Sequence, residues 1–154
     1  MSRVQLALRV GDLAGSIDFY SKLFGTEPAK LRPGYANFAI EEPALKLVLL
    51  EGEPGQETAM DHLGVEVEST DQVNAATQRL TGEGLETLTE DDTTCCYAVQ
   101  DKVWVHGPGA EPWEVYTVKA DAPDATSINP AGETGSCDCG SPTSQSGGPL
   151  PACC

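Results

Sequence analysis

The sequence predicts an α+β fold made of two similar βαβββ modules, followed by a flexible C-terminal tail. Three observations carry this reading. The order strand, helix, strands occurs twice, with His62-Leu63-Gly64-Val65-Glu66-Val67 repeating the apolar pattern of Gln5-Leu6-Ala7-Leu8-Arg9-Val10. Each helix has a polar N-cap and a terminating glycine. The composition also breaks near residue 120, beyond which large apolar side chains almost vanish.

In the first module, residues 1–53, Val4 to Val10 reads as a strand. Asp12 is then a candidate N-cap before Leu13, Ile17, Tyr20 and Phe24, whose spacing follows one helix face, and Gly25 stands where a C-cap belongs. A weak strand is expected over Glu27 to Leu31. Strands at Tyr35–Ile40 and Leu45–Leu50 follow, turning at Glu41-Glu42-Pro43. In the second module, residues 58–120, the His62–Val67 strand leads to Ser69 and Gln72, which offer a capping box. Val73, Ala76 and Leu80 form a helical stripe ended by Gly82 and Gly84, and strands are expected at Glu86–Leu88, Lys102–His106 and Trp113–Val118. A repeat of this kind implies two modules sharing one core, with equivalent strands side by side and the chemistry between them.

The charge balance excludes some partners. Among 154 residues, 24 are acidic and 9 basic, giving a net charge of −15. Such a surface repels phosphate backbones and anionic lipid, so neither nucleic acid nor membrane is expected as a partner. The chain opens Met1-Ser2-Arg3 directly into a patterned segment, with no leader-like stretch, and a cytoplasmic protein is expected. Monomer and homodimer are both compatible with the sequence. In residues 121–154, Gly, Pro, Ser and Thr make up 18 of 34 positions, with Ile128 and Leu150 the sole large aliphatics. This segment cannot bury enough apolar area to offset its ordering entropy and reads as a disordered tail. Its thiols, Cys137, Cys139, Cys153 and Cys154, lie among acidic residues and could capture soft metals.

Cys95 and Cys96, in Thr93-Thr94-Cys95-Cys96-Tyr97, are adjacent. Neighbouring Cα atoms lie about 3.8 Å apart, below the usual disulfide range, so a bond between the two would be strained. Two soft sulfurs here suit one soft ion held from both sides, such as Cd(II), Zn(II), Cu(I) or a trivalent metalloid. Convergence of both sulfurs needs irregular backbone, so the pair is expected in a loop; two small buried residues that merely adjoin is the other reading. Overlaying the modules also aligns Gln5 with His62, while Glu114 opens the last strand opposite Leu47 in the repeat. Amide, imidazole and carboxylate suit a borderline divalent cation such as Fe(II), with positions left open as in a facial triad. Individually each residue has an ordinary structural reading, and their coincidence at repeat-equivalent positions favours the metal.

Strand-Asp12-Leu13-helix, Leu23-Phe24-Gly25, Val103-Trp104-Val105, Gly107-Pro108-Gly109 and Trp113-Glu114-Val115-Tyr116 resemble the vicinal oxygen chelate superfamily of glyoxalases, extradiol dioxygenases and antibiotic-resistance proteins. The likeness covers residues 1–120. Within it, Tyr35–Ile40, His62–Val67, the Thr-Thr-Cys-Cys block and Gln100–Val105 are similar to the carbon-arsenic lyases and cadmium-induced proteins. The resemblance implies paired four-stranded sheets around a metal-bearing cleft. It further implies Fe(II) and dioxygen-dependent removal of methyl or aryl groups from trivalent organoarsenicals, leaving arsenite. Carried over by position, Gln5, His62 and Glu114 would hold the metal, and Cys95 and Cys96 the arsenic. Lys102 is either a neutralising group for an oxygen on arsenic or a solvated strand-edge lysine, while Tyr35, Phe38 and Tyr97 could line the substrate pocket. His106 reads as a turn residue, and Trp104, Trp113 and Tyr116 as core or cleft wall. The alternative function is non-catalytic cadmium or arsenic binding; glyoxalase chemistry is disfavoured because Leu47 supplies no fourth donor.

Overall fold

The computed structural model describes residues 1–123 and the short strands Ser127–Ile128 and Thr134–Gly135. In chain order the elements are β1 (Arg3–Val10), α1 (Leu13–Phe24), β2 (Lys30–Arg32), β3 (Tyr35–Ile40), β4 (Leu45–Glu51), β5 (Ala59–Glu66), α2 (Thr70–Gly82), β6 (Leu88–Cys95), β7 (Ala98–His106) and β8 (Pro112–Asp121). The two short strands, β9 and β10, pair antiparallel. The remaining tail, with Cys137, Cys139, Cys153 and Cys154, lies outside the described residues. Among the described residues no helix is long and apolar enough to cross a membrane.

Local chemistry sets the helix ends. Asp12 Oδ1 accepts the Gly15 N–H at 2.8 Å, and Gly25 closes α1 at φ 63°, a conformation that costs a β-carbon-bearing residue about 1 kcal/mol. At α2, Ser69 Oγ accepts the Gln72 N–H at 3.4 Å, but Gln72 Oε1 reaches the N–H of Glu68 at 2.7 Å instead of that of Ser69. The expected box is therefore shifted by one residue, and an otherwise orphan donor is still satisfied.

The strands form one mixed sheet in the order β2-β3-β4-β1-β5-β8-β7-β6. The two four-stranded halves are joined where β1 runs antiparallel to β5, while β1–β4 and β5–β8 are parallel. Across the central joint Gln5 faces Gly64 and Ala7 faces His62, two pairs exchanged by the repeat offset. The internal repeat is thus a local two-fold through the centre of the sheet. It also corrects the counterpart of Glu114. Glu114 pairs with Gly64 and Val48 with Ala7, so Val48, not Leu47, is the symmetric fourth position, and it too lacks a donor.

Alternation along the strands divides the side chains between two faces. On one face α1 lays Leu13, Ile17, Tyr20 and Phe24 over Val10, Ala36, Phe38, Ile40, Leu47 and Leu49, and α2 covers Val103 and Val115 with Val73 and Leu80. Full burial of a Val, Leu, Ile or Phe side chain contributes about 2 kcal/mol, and the half-buried residues of α1 contribute less. The other face holds Gln5, His62, Lys102 and Glu114, all buried and polar. Helices cover the first face, and the chemistry has the second.

Two expected strands are longer than the pattern suggested, β7 beginning at Ala98 and β8 continuing to Asp121, while the strand expected at Glu86–Leu88 lies further along the chain, β6 spanning Leu88–Cys95. Ala122, almost fully buried, donates its N–H to Tyr97 O at 2.9 Å, so the body's bonding passes the expected boundary at 120.

Candidate metal and thiol site

Three strands bring the triad together. Gln5 Nε2 lies 3.0 Å from His62 Nε2 and 2.7 Å from Glu114 Oε1, and His62 Nε2 lies 3.4 Å from the same oxygen. Each residue is at most 4% exposed, so the contacts are shielded from water. Gly64, between Gln5 and Glu114 in the sheet, makes this approach feasible; a β-carbon there would meet Glu114 Cγ at 3.1 Å and Gln5 Cβ at 3.3 Å.

Each ligand candidate is held from behind. His62 Nδ1 faces Asp61 Oδ1 at 2.7 Å, which turns its Nε2 toward Gln5 and Glu114. Asp61 also receives Arg9 Nη2 at 2.7 Å and Nε at 3.1 Å. Consecutive strand residues normally point to opposite faces; here the register slips between Ala7 and Leu8, and the resulting bulge lets Asp61 reach its neighbour. Glu114 Oε2 accepts from Lys102 Nζ at 2.8 Å. Burial favours the neutral acid of Glu114, but Lys102 and His62 outweigh it and bring its pKa down to about 2. For His62, burial disfavours the imidazolium, yet Asp61 and Glu114 prevail and its pKa is raised. Lys102 is 1% exposed, which removes the solvated strand-edge reading.

The amide of Gln5 completes a second network. Its Oε1 accepts from the Tyr116 hydroxyl, which also contacts Glu66 Oε2 at 2.8 Å; Glu66 in turn pairs with Lys46 and Arg3 at 3.0 Å each. With Nε2 facing His62 and Glu114, the amide fills the triad with its own hydrogens. Exchanging the places of its oxygen and nitrogen turns Oε1 toward the two other donors and leaves Nε2 to donate to Tyr116, whose hydroxyl can still donate to Glu66. The donor set therefore fits a divalent cation with one O, one N and one carboxylate. Among the described residues no group of three or more His, Cys, Asp or Glu could hold a metal, so the amide must be counted.

The cysteines sit at the β6–β7 hairpin. Cys95 ends β6 and pairs with Ala98, leaving Cys96 and Tyr97 as a two-residue turn with φ values of 50° and 64°. This is the dihedral pattern of a type I′ turn, in which Asn and Gly are at ease and Cys and Tyr are not. Packing pins the turn down: Cys96 and Tyr97 rest on Ala7, Tyr35, Val48 and Leu50, the Tyr35 and Tyr97 rings are 5.5 Å apart, and Tyr97 OH donates to Pro33 O at 3.2 Å. The expected loop is thus a strained tight turn, with one cysteine still in the strand. The two Sγ atoms are 3.5 Å apart, far beyond the bond length of about 2.05 Å, so the pair is not bonded to each other. Beside Cys96 opens a cavity of about 200 Å³, lined also by Tyr35, Asn37, Lys46, Glu66 and Gln100.

The family model of the glyoxalase/bleomycin resistance protein/dioxygenase superfamily matches residues 3–115. The chain belongs to that superfamily. A "trivalent organoarsenical cleaving enzyme" of Thermomonospora curvata is 71% identical over 122 residues, which cover 79% of this chain and 81% of the relative. A "cadmium-induced protein" of Mycobacterium bovis is 64% identical over the same length, covering 79% and 80%. Among solved structures, an extradiol ring-cleaving dioxygenase from B. fuscum shares the fold at TM-score 0.58 and 22% identity, over 78% of this chain and 33% of that one.

Measured against the sequence expectations for this superfamily member, Gln5, His62, Glu114 and Lys102 meet in one cluster, and Tyr35, Tyr97 and Cys96 gather at the hairpin. Phe38 does not line the cavity. It is fully buried in the α1 core, because in β3 it alternates with Tyr35 and Asn37. His106 is exposed at the end of β7, away from the triad's contacts. Asp61, Glu66 and Lys46 were missed; an Asp directly before a candidate ligand was the available signal, and the bulge that makes it useful left none.

Proposed function

We propose that this protein cleaves the carbon-arsenic bond of trivalent organoarsenicals, using Fe(II) held by Gln5, His62 and Glu114 and consuming dioxygen. What carries the reading is one juxtaposition: Cys96 packs on the apolar cluster containing Ala7, and Ala7 is the sheet partner of His62. Both cysteines, as thiolates, would exchange two oxygen ligands of arsenic for sulfur, while a pentavalent arsenical offers no comparable affinity. The hairpin would thereby hold the substrate over the same face that bears the triad, replacing a chance encounter by a fixed one. The strained turn keeps the two sulfurs on one side, where a regular strand would separate them.

Bound iron would supply an open coordination position for dioxygen. The chain's own residues do the rest. Asp61 keeps the proton on His62 Nδ1 and so leaves Nε2 available; Lys102 neutralises one oxygen of Glu114 and leaves the other. Tyr35, Val48 and Leu50 pack against Cys96 and shield it on that side. The name of the 71% identical relative supports this substrate class. Arsenic binds both sulfurs only when each is present as a thiol or thiolate, so the reaction is run with a reductant.

The test is to incubate reduced, Fe(II)-loaded protein with methylarsenite in air and follow inorganic arsenite. Arsenite in excess of enzyme is expected. Methylarsenite that is bound and unchanged would instead indicate sequestration, the reading suggested by the cadmium-induced relative.

A further inference from the structure

Gln100 sits on β7, one residue pair before Lys102 on the same face, and is 5% exposed. Its Nε2 donates to the carbonyl of Cys95 at 3.4 Å, which fixes the amide's direction: the reversed amide would set two oxygens against each other. Among the described residues, Oε1 is consequently left as a buried acceptor with no hydrogen-bond partner. Such an atom costs about 1 to 3 kcal/mol unless something satisfies it. Gln100 lines the same cavity as Cys96. The cavity's three cations do not offer an equivalent unmet demand, because Lys46 and Arg3 pair with Glu66 and Lys30 with Asp121.

We infer that Gln100 is a specificity-determining residue: its Oε1 accepts a hydrogen bond from an amino or hydroxyl group on the aryl substituent of a cysteine-held trivalent arsenical. This rests on the function proposed above and adds to it the class of organic group. Size agrees with the class. A dry cavity of about 150 Å³ accepts benzene, so the 200 Å³ here takes a ring with a small substituent and leaves a methyl group loosely fitted. Polarity agrees as well, since a buried acceptor rejects a ring that lacks a donor more strongly than an apolar wall would.

The experiment compares methylarsenite, phenylarsenous acid and the 3- and 4-aminophenylarsenous acids, as kcat/KM with the reduced Fe(II)-loaded full chain. For the wild type, at least one amino isomer should exceed phenyl by about tenfold, equivalent to about 1.4 kcal/mol. In Gln100→Leu that ratio, both rates being read on the same variant, should fall to about one. Should Gln100→Leu fold poorly, Gln100→Met, unbranched and of similar length, provides the same readout. A wild type that does not discriminate, or a ratio that survives either substitution, overturns the inference. If no arsenical is cleaved by the wild type, the proposed function itself has failed, a result distinct from equal cleavage of all.

Discussion

His62 Nδ1 lies 2.7 Å from Asp61 Oδ1, a bond between chain neighbours that exists because β5 carries a bulge opposite Ala7 and Leu8. Through it the imidazole presents Nε2 to the triad. Asp61→Asn should keep the fold while weakening Fe(II) affinity by about 10- to 100-fold, as read by competition titration against a chelator. Unchanged affinity would mean that the packing of Trp104, with its ring 5.6 Å from the imidazole, suffices to orient the ring.

The triad itself makes a sharper prediction. His62→Ala should abolish stoichiometric iron binding, whereas His106→Ala, at the exposed end of β7, should leave it intact. Gln5→His should bind more tightly, because imidazole is the better donor and the exchange of amide ends is no longer needed. Metal titrations of the three variants decide this; iron retained by His62→Ala removes the assignment.

The parts of this site that could be read beforehand are those that repetition encodes. Gln5 and His62 were legible because the modules repeat and the two-fold through β1 and β5 brings repeat-equivalent residues together. Phe38 was misread, since in a hydrophobic strand such as Tyr35–Ile40 both faces carry apolar residues and alternation gives no sign of which meets the helix. The burial of Lys102 was hidden because its partner, Glu114, comes from another strand twelve residues on. Asp61 escaped because a bulge changes facing without changing composition.

Asp101 is 2% exposed and accepts from the Asp92 N–H at 2.8 Å, the Thr70 hydroxyl and Lys119. It thus ties the start of α2 to the β6–β7 hairpin. Burial pushes its pKa up, but these donors prevail and the folded-state pKa is lowered. The stabilisation is present above the unfolded value of about 4 and is lost as pH falls through the lower folded value. Asp101→Asn should cost about 1 to 3 kcal/mol at pH 7, and the gap to wild type should narrow steadily as pH falls below about 4 in denaturant titrations. A gap of the same size at pH 3 as at pH 7 contradicts the charge-based account.

Cys96 occupies the first central position of a turn that favours asparagine. Cys96→Asn should therefore hold or raise the melting temperature while abolishing tight binding of trivalent arsenicals. A fall of several degrees, measured by calorimetry alongside arsenical titration, would show that the sulfur's packing on Tyr35 and Leu50 outweighs the turn strain.

The central claim is that the cysteine pair holds arsenic against the iron-bearing face until its carbon bond is cut. Arsenic X-ray absorption on the reduced, Fe(II)-loaded protein, given one equivalent of methylarsenite without oxygen and then exposed to air, measures both halves. The account predicts two sulfur neighbours and one carbon before air, and loss of the carbon neighbour afterwards. A single sulfur neighbour at the outset, or a carbon neighbour that persists after prolonged exposure to air, would contradict it.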